Sequence, residues 1–389
     1  MIELLFLLLP IAMFYGWYMG RNSIKQNTQA VKQDLSIKYS KGLNYLLSNQ
    51  QDKAIDSLLE ALNVEDDSVE AHFAMANLFR KRGELDRALK VHEHLVRLEH
   101  LPTKDKQHAV FELGKDFLSA GLYDRAEKMF TKLIKSQNYG IKSLTYLFQI
   151  FQSTKDWNQG LQYKKQIIKL KDKRLLHNLA NFYCELATAA IEEDDFIKVI
   201  ELLEEALNLD PKSCRANWLM AGVYQNHQQH ELAAQCYKDI YKQDSEFFPD
   251  VIDLMHNCYM ELGEEEVFFN FIKKVYDETA STSSLISYLS YVEKNNSSDK
   301  AKEFMLAALK RRPTIRGFKH FVKMQMQSTD DRINDTGLDL IKELIAEYIK
   351  VKHRYNCRIC GFNSSKHYWS CPSCHEWEQL KPLRGLEGE

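Results

Sequence analysis

Proline and glycine are scarce, 7 and 15 in 389 residues. A β-sandwich or barrel needs a turn roughly every 8–12 residues, so an all-β fold is excluded and helices are expected. Neither charge sign is in excess: 52 Lys and Arg face 54 Asp and Glu, a net charge of −2. A chain that coats nucleic acid carries a strong basic excess, so nucleic acid is not an expected partner. With 44% hydrophobic and 27% charged residues, wholesale disorder is excluded as well. Catalytic signatures are missing too. No G-x-x-x-x-G-K-[ST], G-x-G-x-x-G or G-x-S-x-G occurs. His92-Glu93-His94 and His230-Glu231 begin as metalloprotease helices do, but neither has a histidine four residues after the first. The chain reads as a non-enzyme.

What is there begins with one long apolar run. Leu4 to Met19 carries no charge, and with Met1, Ile2 and Gly20 it approaches the ~20 residues that cross a hydrocarbon core. Pro10 is tolerated in such a helix, and Tyr15, Trp17 and Tyr18 suit the interface at its far end. A cleaved signal peptide needs a basic start and a small-residue cleavage site. Glu3 and the lack of an A-x-A motif favour a retained anchor over residues 1–20. Arg21, Lys25, Lys32, Lys38 and Lys41 follow it, so the positive-inside rule places the bulk of the chain on the cytoplasmic side of a single-pass span. Residues 21–34 read as a juxtamembrane linker. The isolated Cys184, Cys214, Cys236 and Cys258 suit a reducing compartment.

A small residue recurs through the middle of the chain. Ala54, Ala88, Ala126, Gly160, Val199, Ala233, Phe268 and Ala301 stand 33 to 39 residues apart, with Gly160, Val199 and Phe268 departing from alanine. Gly42 and Tyr45 precede Ala54; Ala76, Phe79 and Gly83 precede Ala88; Gly114, Phe117 and Gly121 precede Ala126. This pattern resembles the tetratricopeptide repeat, a helix–turn–helix of about 34 residues. Small side chains let two antiparallel helices approach, and the aromatics fill the space beside them. One hairpin cannot bury its apolar face alone, so stacking makes the core. The expected fold is an all-α superhelical solenoid of about nine repeats over residues 35–351, ending in a helix over Gly337–Val351.

The first helices of such an array line the face that holds partner segments. Projecting the register onto it nominates Phe73, Asn77, Arg80, Phe111, Lys115, Trp218, Gln225 and Asn226, with Phe111 and Trp218 expected instead to pack between neighbouring repeats. Glu192–Asp210 is strongly acidic and Lys300–Lys323 strongly basic. Arg311, Arg312 and Arg316 in the basic stretch could meet an acidic protein or anionic lipid headgroups, with a solvated helix face as the alternative.

Four cysteines fall near the end: Cys357-Arg-Ile-Cys360-Gly and Cys371-Pro-Ser-Cys374. Each C-x2-C turn sets two thiolates on one side of a metal, and two turns complete a tetrahedron. Gly361 is expected to leave room for amides to approach the sulfurs. Two disulfides are disfavoured by the inferred compartment, and a redox dithiol would need one motif in a βαβ setting. The pattern resembles the rubredoxin-type knuckle, with His375 in place of a glycine and a short loop, departures that weaken electron transfer through iron. Zinc is the default for four thiolates, and iron also fits. Trp369, Trp377 and Phe362 are expected to pack this domain, residues 352–389, against the last repeats. His353, His367 and His375 are expected to be bystanders.

Taken in order, the anchor, the repeat array and the C-x2-C-G…W-S-C-P-x-C-x-x-W ribbon resemble the lipopolysaccharide assembly protein B family of Gram-negative bacteria. The resemblance implies a non-enzymatic adaptor at the inner membrane that presents the lipid A pathway deacetylase to a membrane-bound AAA+ protease for degradation. It also implies an inner-membrane lipopolysaccharide regulator as antagonist. Homodimerisation is left open, and a generic scaffold for envelope assembly is the broader alternative.

Overall fold

The computed structural model describes residues 69–295, 298–328 and 336–389, with scattered positions between residues 15 and 57. The expected anchor, the linker and most of the first repeat lie outside the described residues. Among those described, no helix is long and apolar enough to cross a membrane. The described residues are helical, with a small sheet at the end. The chain forms two compact units, Met1–Ile150 and Phe151–Glu389.

In the first unit the hairpins are α1 (Val69–Lys81) with α2 (Leu85–Arg97) and α3 (Thr103–Ser119) with α4 (Tyr123–Leu133). α5 (Gly140–Thr154) contains the division point. The second unit continues with two short helices, α6 (Trp157–Leu161) and α7 (Lys164–Leu170). Then come α8 (Lys173–Glu192) with α9 (Phe196–Leu209), α10 (Cys214–Asn226) with α11 (His230–Gln243), and α12 (Ile252–Glu261) with α13 (Glu265–Thr279). The last pairs are α14 (Thr282–Asn295) with α15 (Ser298–Arg311), and α16 (Ile315–Ser328) with α17 (Thr336–Val351). Within each unit helices pack on their chain neighbours, and each of α8, α12 and α14 also meets the first helix of the next hairpin. That nearest-neighbour pattern is how repeat arrays bury a core.

The small positions work by close approach. Ala76, Ala88 and Ala126 are wholly buried. A Cβ at Gly114 would stand 2.8 Å from the Phe130 ring, so α3 and α4 are pressed together there. Phe79 and Phe117 fill the neighbouring space, with the Arg87 and Arg125 guanidiniums over their rings at 6.0 and 5.7 Å.

One turn closes six hairpins. The amides of Glu84, Leu122, Asp156, Asp195, Gln229 and Glu264 donate to the carbonyls of Phe79, Phe117, Phe151, Ala190, Tyr224 and Tyr259. This six-residue closure puts the preceding residue in the left-handed region. Gly83, Gly121 and Gly263 adopt it freely, and Lys155, Asp194 and Gln228 adopt it with φ near 60°.

The terminal domain is a three-stranded antiparallel sheet. β1 (Tyr355–Cys357) lies between β2 (Asn363–Ser364) and β3 (Leu380–Pro382), with Tyr355 opposite Ser364 and Pro382. Tyr355, Cys357, Cys371 and Leu380 form its buried core, and Phe362 packs on them.

Candidate metal centre and its seat on the repeats

The four cysteines converge. Cys357 leaves β1 into the first knuckle, and Cys371–Cys374 forms the second. The sulfurs all lie within 4.8 Å of one another. Cys357 Sγ is 3.7 Å from Cys374 Sγ, and Cys360 Sγ is 3.6 Å from Cys371 Sγ. Metal–sulfur bonds of about 2.3 Å in a tetrahedron imply sulfur–sulfur edges of about 3.8 Å, whereas a disulfide requires about 2.05 Å. The residues therefore fit a tetrahedral metal ion.

The two knuckles share one backbone form. The Gly361 amide donates to the Cys357 carbonyl at 3.0 Å, and the His375 amide to the Cys371 carbonyl at 2.9 Å. Both residues have positive φ, 75° and 60°. A Cβ at Gly361 would meet nothing within 4 Å. The left-handed turn, and not the expected steric room, is thus what asks for glycine. The Phe362 amide pulls the exposed Cys360 thiol down to about 6. Burial pushes Cys374 up to about 12, with the Glu376 amide working against it. A metal must therefore displace protons from this set.

What the sequence did not signal is the seat of this domain, which runs along the N-terminal ends of the first helices. The Glu378 carboxylate accepts from the Cys214 amide at 3.1 Å and from Ser213 Oγ at 2.9 Å, at the start of α10. The Glu389 carboxylate accepts from the Ser283 amide at 2.9 Å and from Ser281 Oγ at 3.0 Å, at the start of α14. The Leu386 carbonyl accepts from the Ile315 amide at 2.8 Å, at the start of α16. Helix N-termini carry unsatisfied amides and partial positive charge, so each contact satisfies an orphan donor. Before α12, Asp250 accepts from Tyr355 Oη at 3.1 Å and pairs with Arg354. Glu246 holds Arg358 at 3.1 Å, and Asp244 holds Lys381. Gln152 donates to Ser370 Oγ and to the His375 carbonyl, both at 2.8 Å.

Aromatic packing corrects two expectations. Trp218 does not pack between repeats: it meets Trp369 edge-on at 5.3 Å and stacks on His367 at 6.1 Å. Trp377 packs on Trp157, with the buried Arg215 guanidinium 5.2 Å over its ring. Those are the third to fifth described hairpins, whereas the last ones are met by the tail after β3. His367, as expected, is outside the metal-ligand set, and it sits between Trp218, Phe247 and Tyr355. Burial lowers its pKa to about 4, helped by Arg215 and Arg354.

The proposed partner-facing residues are mostly engaged inside the array. Phe73 is buried and stacks on His108 at 4.2 Å. Arg80 donates to Asn77, Glu112 and, at 2.7 Å, Asp116. Lys115 reaches Glu112 at 3.0 Å. Phe111 packs among Phe130, Tyr139 and Tyr146. Gln225 accepts from Tyr237 Oη at 3.2 Å, and Asn226 is exposed. Arg312 and Arg316 hold Glu389, whereas Arg311 is exposed.

A model of the rubredoxin metal binding domain, in its zinc-ribbon form, matches residues 355–382. Lipopolysaccharide assembly protein B of Escherichia coli strain K12 is 36% identical over 389 residues, all of both chains. The chain belongs to the lipopolysaccharide assembly protein B family. A second member, from Haemophilus influenzae, is 31% identical over 395 residues, again across both whole chains. Among solved structures, the C-terminal part of a TPR repeat-containing protein from Cytophaga hutchinsonii is similar at 15% identity and a TM-score of 0.38, covering 68% of this chain and 98% of that one. For this member of the lipopolysaccharide assembly protein B family, the four-cysteine centre is Cys357, Cys360, Cys371 and Cys374.

Proposed function

We propose that this protein is a non-enzymatic scaffold of lipopolysaccharide assembly that holds client proteins on its repeats beside the inner membrane. In the finer form of this reading, it presents the lipid A pathway deacetylase to a membrane-bound AAA+ protease, and an inner-membrane regulator opposes it. The observation that carries the reading is full-length kinship with the family together with a metal domain seated on the repeats by carboxylate caps. In this reading the metal is structural: when bound it crosslinks the two knuckles, while Glu378, Glu389, Trp369 and Trp377 transmit that order to the helices. Leu4–Met19 serves as anchor, the bulk of the chain lying on the cytoplasmic side. Tethering confines adaptor and protease to one surface and raises their effective concentration. Deleting residues 1–20 should leave a folded array that no longer promotes turnover of the deacetylase in cells. Normal turnover with that truncation refutes the tethering.

A further inference from the structure

Cations on the face of the first helices are generally neutralised within the array. Arg80 is held by Glu112 and Asp116, Lys115 by Glu112, and Arg215 by Glu185. The last described hairpins break that rule. Arg316, Lys319, His320 and Lys323 of α16 line a cavity of about 240 Å³ with Ile286 of α14 and Ile349 of α17. No acid lines it. Arg316 is shared with Glu389. Among the described residues Lys319 and Lys323 have no acidic partner, and His320 Nε2 is buried without a hydrogen-bond partner.

We infer that this pocket receives an acidic segment of a client polypeptide in extended form, with carboxylates on alternate residues. The inference rests on the scaffold reading and names the chemistry of what is scaffolded. Spacing favours a polypeptide. Lys319 and Lys323 are one helical turn apart, about 5–6 Å between Cβ atoms, and alternate residues of an extended strand are about 6.6 Å apart. Arg316 extends the row to seven residues, about 10 Å. A single phosphate is met by donors converging on one point, which this row does not do. Ile286 and Ile349 supply apolar walls for the methylenes of those carboxylate side chains. Burial and the neighbouring Lys323 lower the His320 pKa, so the row's positive charge comes from Arg316, Lys319 and Lys323.

The test is fluorescence anisotropy of a labelled Glu-Leu-Glu-Leu-Glu peptide with the full chain in detergent micelles at low salt. Saturable binding is expected, at least tenfold weaker in Lys319→Gln/Lys323→Gln. Lys319→Arg/Lys323→Arg should stay within about threefold of the parent, and so should Lys273→Gln/Lys274→Gln, an exposed pair outside the pocket. No binding by the parent, or equal binding by the Gln pair, overturns the inference. So does capture of phosphatidylglycerol vesicles, or of inorganic phosphate alone, in place of the peptide. If the peptide fails while the deacetylase is still captured, the pocket falls and the scaffold stands.

Discussion

Lys155, Asp194 and Gln228 hold a backbone form that costs an L-residue about 1 kcal/mol and glycine almost nothing. Gln228→Gly should therefore raise stability by about 0.5–1 kcal/mol, read as an upward shift of the urea midpoint with unchanged slope. A second residue-scale device is His177, whose Nδ1 lies 2.7 Å from Asp210. Burial works to lower its pKa, but Asp210, Glu378 and the Trp377 carbonyl prevail and raise it above the ordinary 6.5. Burial also raises Glu378, against the pull of His177 and the Ser213 and Cys214 donors. A raised histidine stabilises fully below its unfolded value, and that contribution is lost as pH rises through the folded one. A raised carboxyl acts in the same sense. Seating of the metal domain should thus weaken as pH rises, from about 4.5 through Glu378 and from about 6.5 through His177, measured by hydrogen exchange at the start of α10, and His177→Gln should flatten the upper part of that profile. The buried thiols Cys184, Cys236 and Cys258 are pushed up to about 12, 12 and 11 by desolvation, which leaves them inert fillers.

At the scale of elements, three helices begin on groups supplied from far along the chain. α10 and α14 have their own serine caps, Ser213 to the Ala216 amide and Ser281 to the Ser284 amide, and the distant carboxylates add to them. Loss of such a cap costs about 0.5–2 kcal/mol. Glu378→Gln should speed exchange of the first-turn amides of α10 and leave those of α14 unchanged. A uniform response of both helices would count against separate capping. The α3–α4 contact offers a contrasting case. Gly114→Val drives a branched side chain into Phe130 and should cost about 1–3 kcal/mol, seen as a lowered melting temperature.

At the scale of the whole molecule, the metal centre and the second unit are expected to act as one cooperative block. Cys371→Ser should release the metal and free Trp369 and Trp377 from Trp218 and Trp157, giving a red-shifted tryptophan emission. An unchanged metal-to-protein ratio in the purified variant would sink that expectation. The same variant should lower protection in α10 and α14 while leaving α1–α4 as they were.

The sequence by itself determined the hairpin period, the small positions such as Ala76, Ala88 and Gly114, and the four-cysteine set. Each is written in local spacing: a helical turn, a close contact one hairpin away, a knuckle of four residues. Tertiary structure alone decided that Trp218 serves the metal domain, that Arg80 is engaged within the array and Arg312 and Arg316 by Glu389, and that Lys319 and Lys323 have no acidic partner among the described residues. Those outcomes depend on which surfaces meet across 30 to more than 200 residues of chain. A carboxylate such as Glu378 carries no local mark of the distant amide it will cap, because the desolvation and hydrogen bonding that fix it exist only once both surfaces are together.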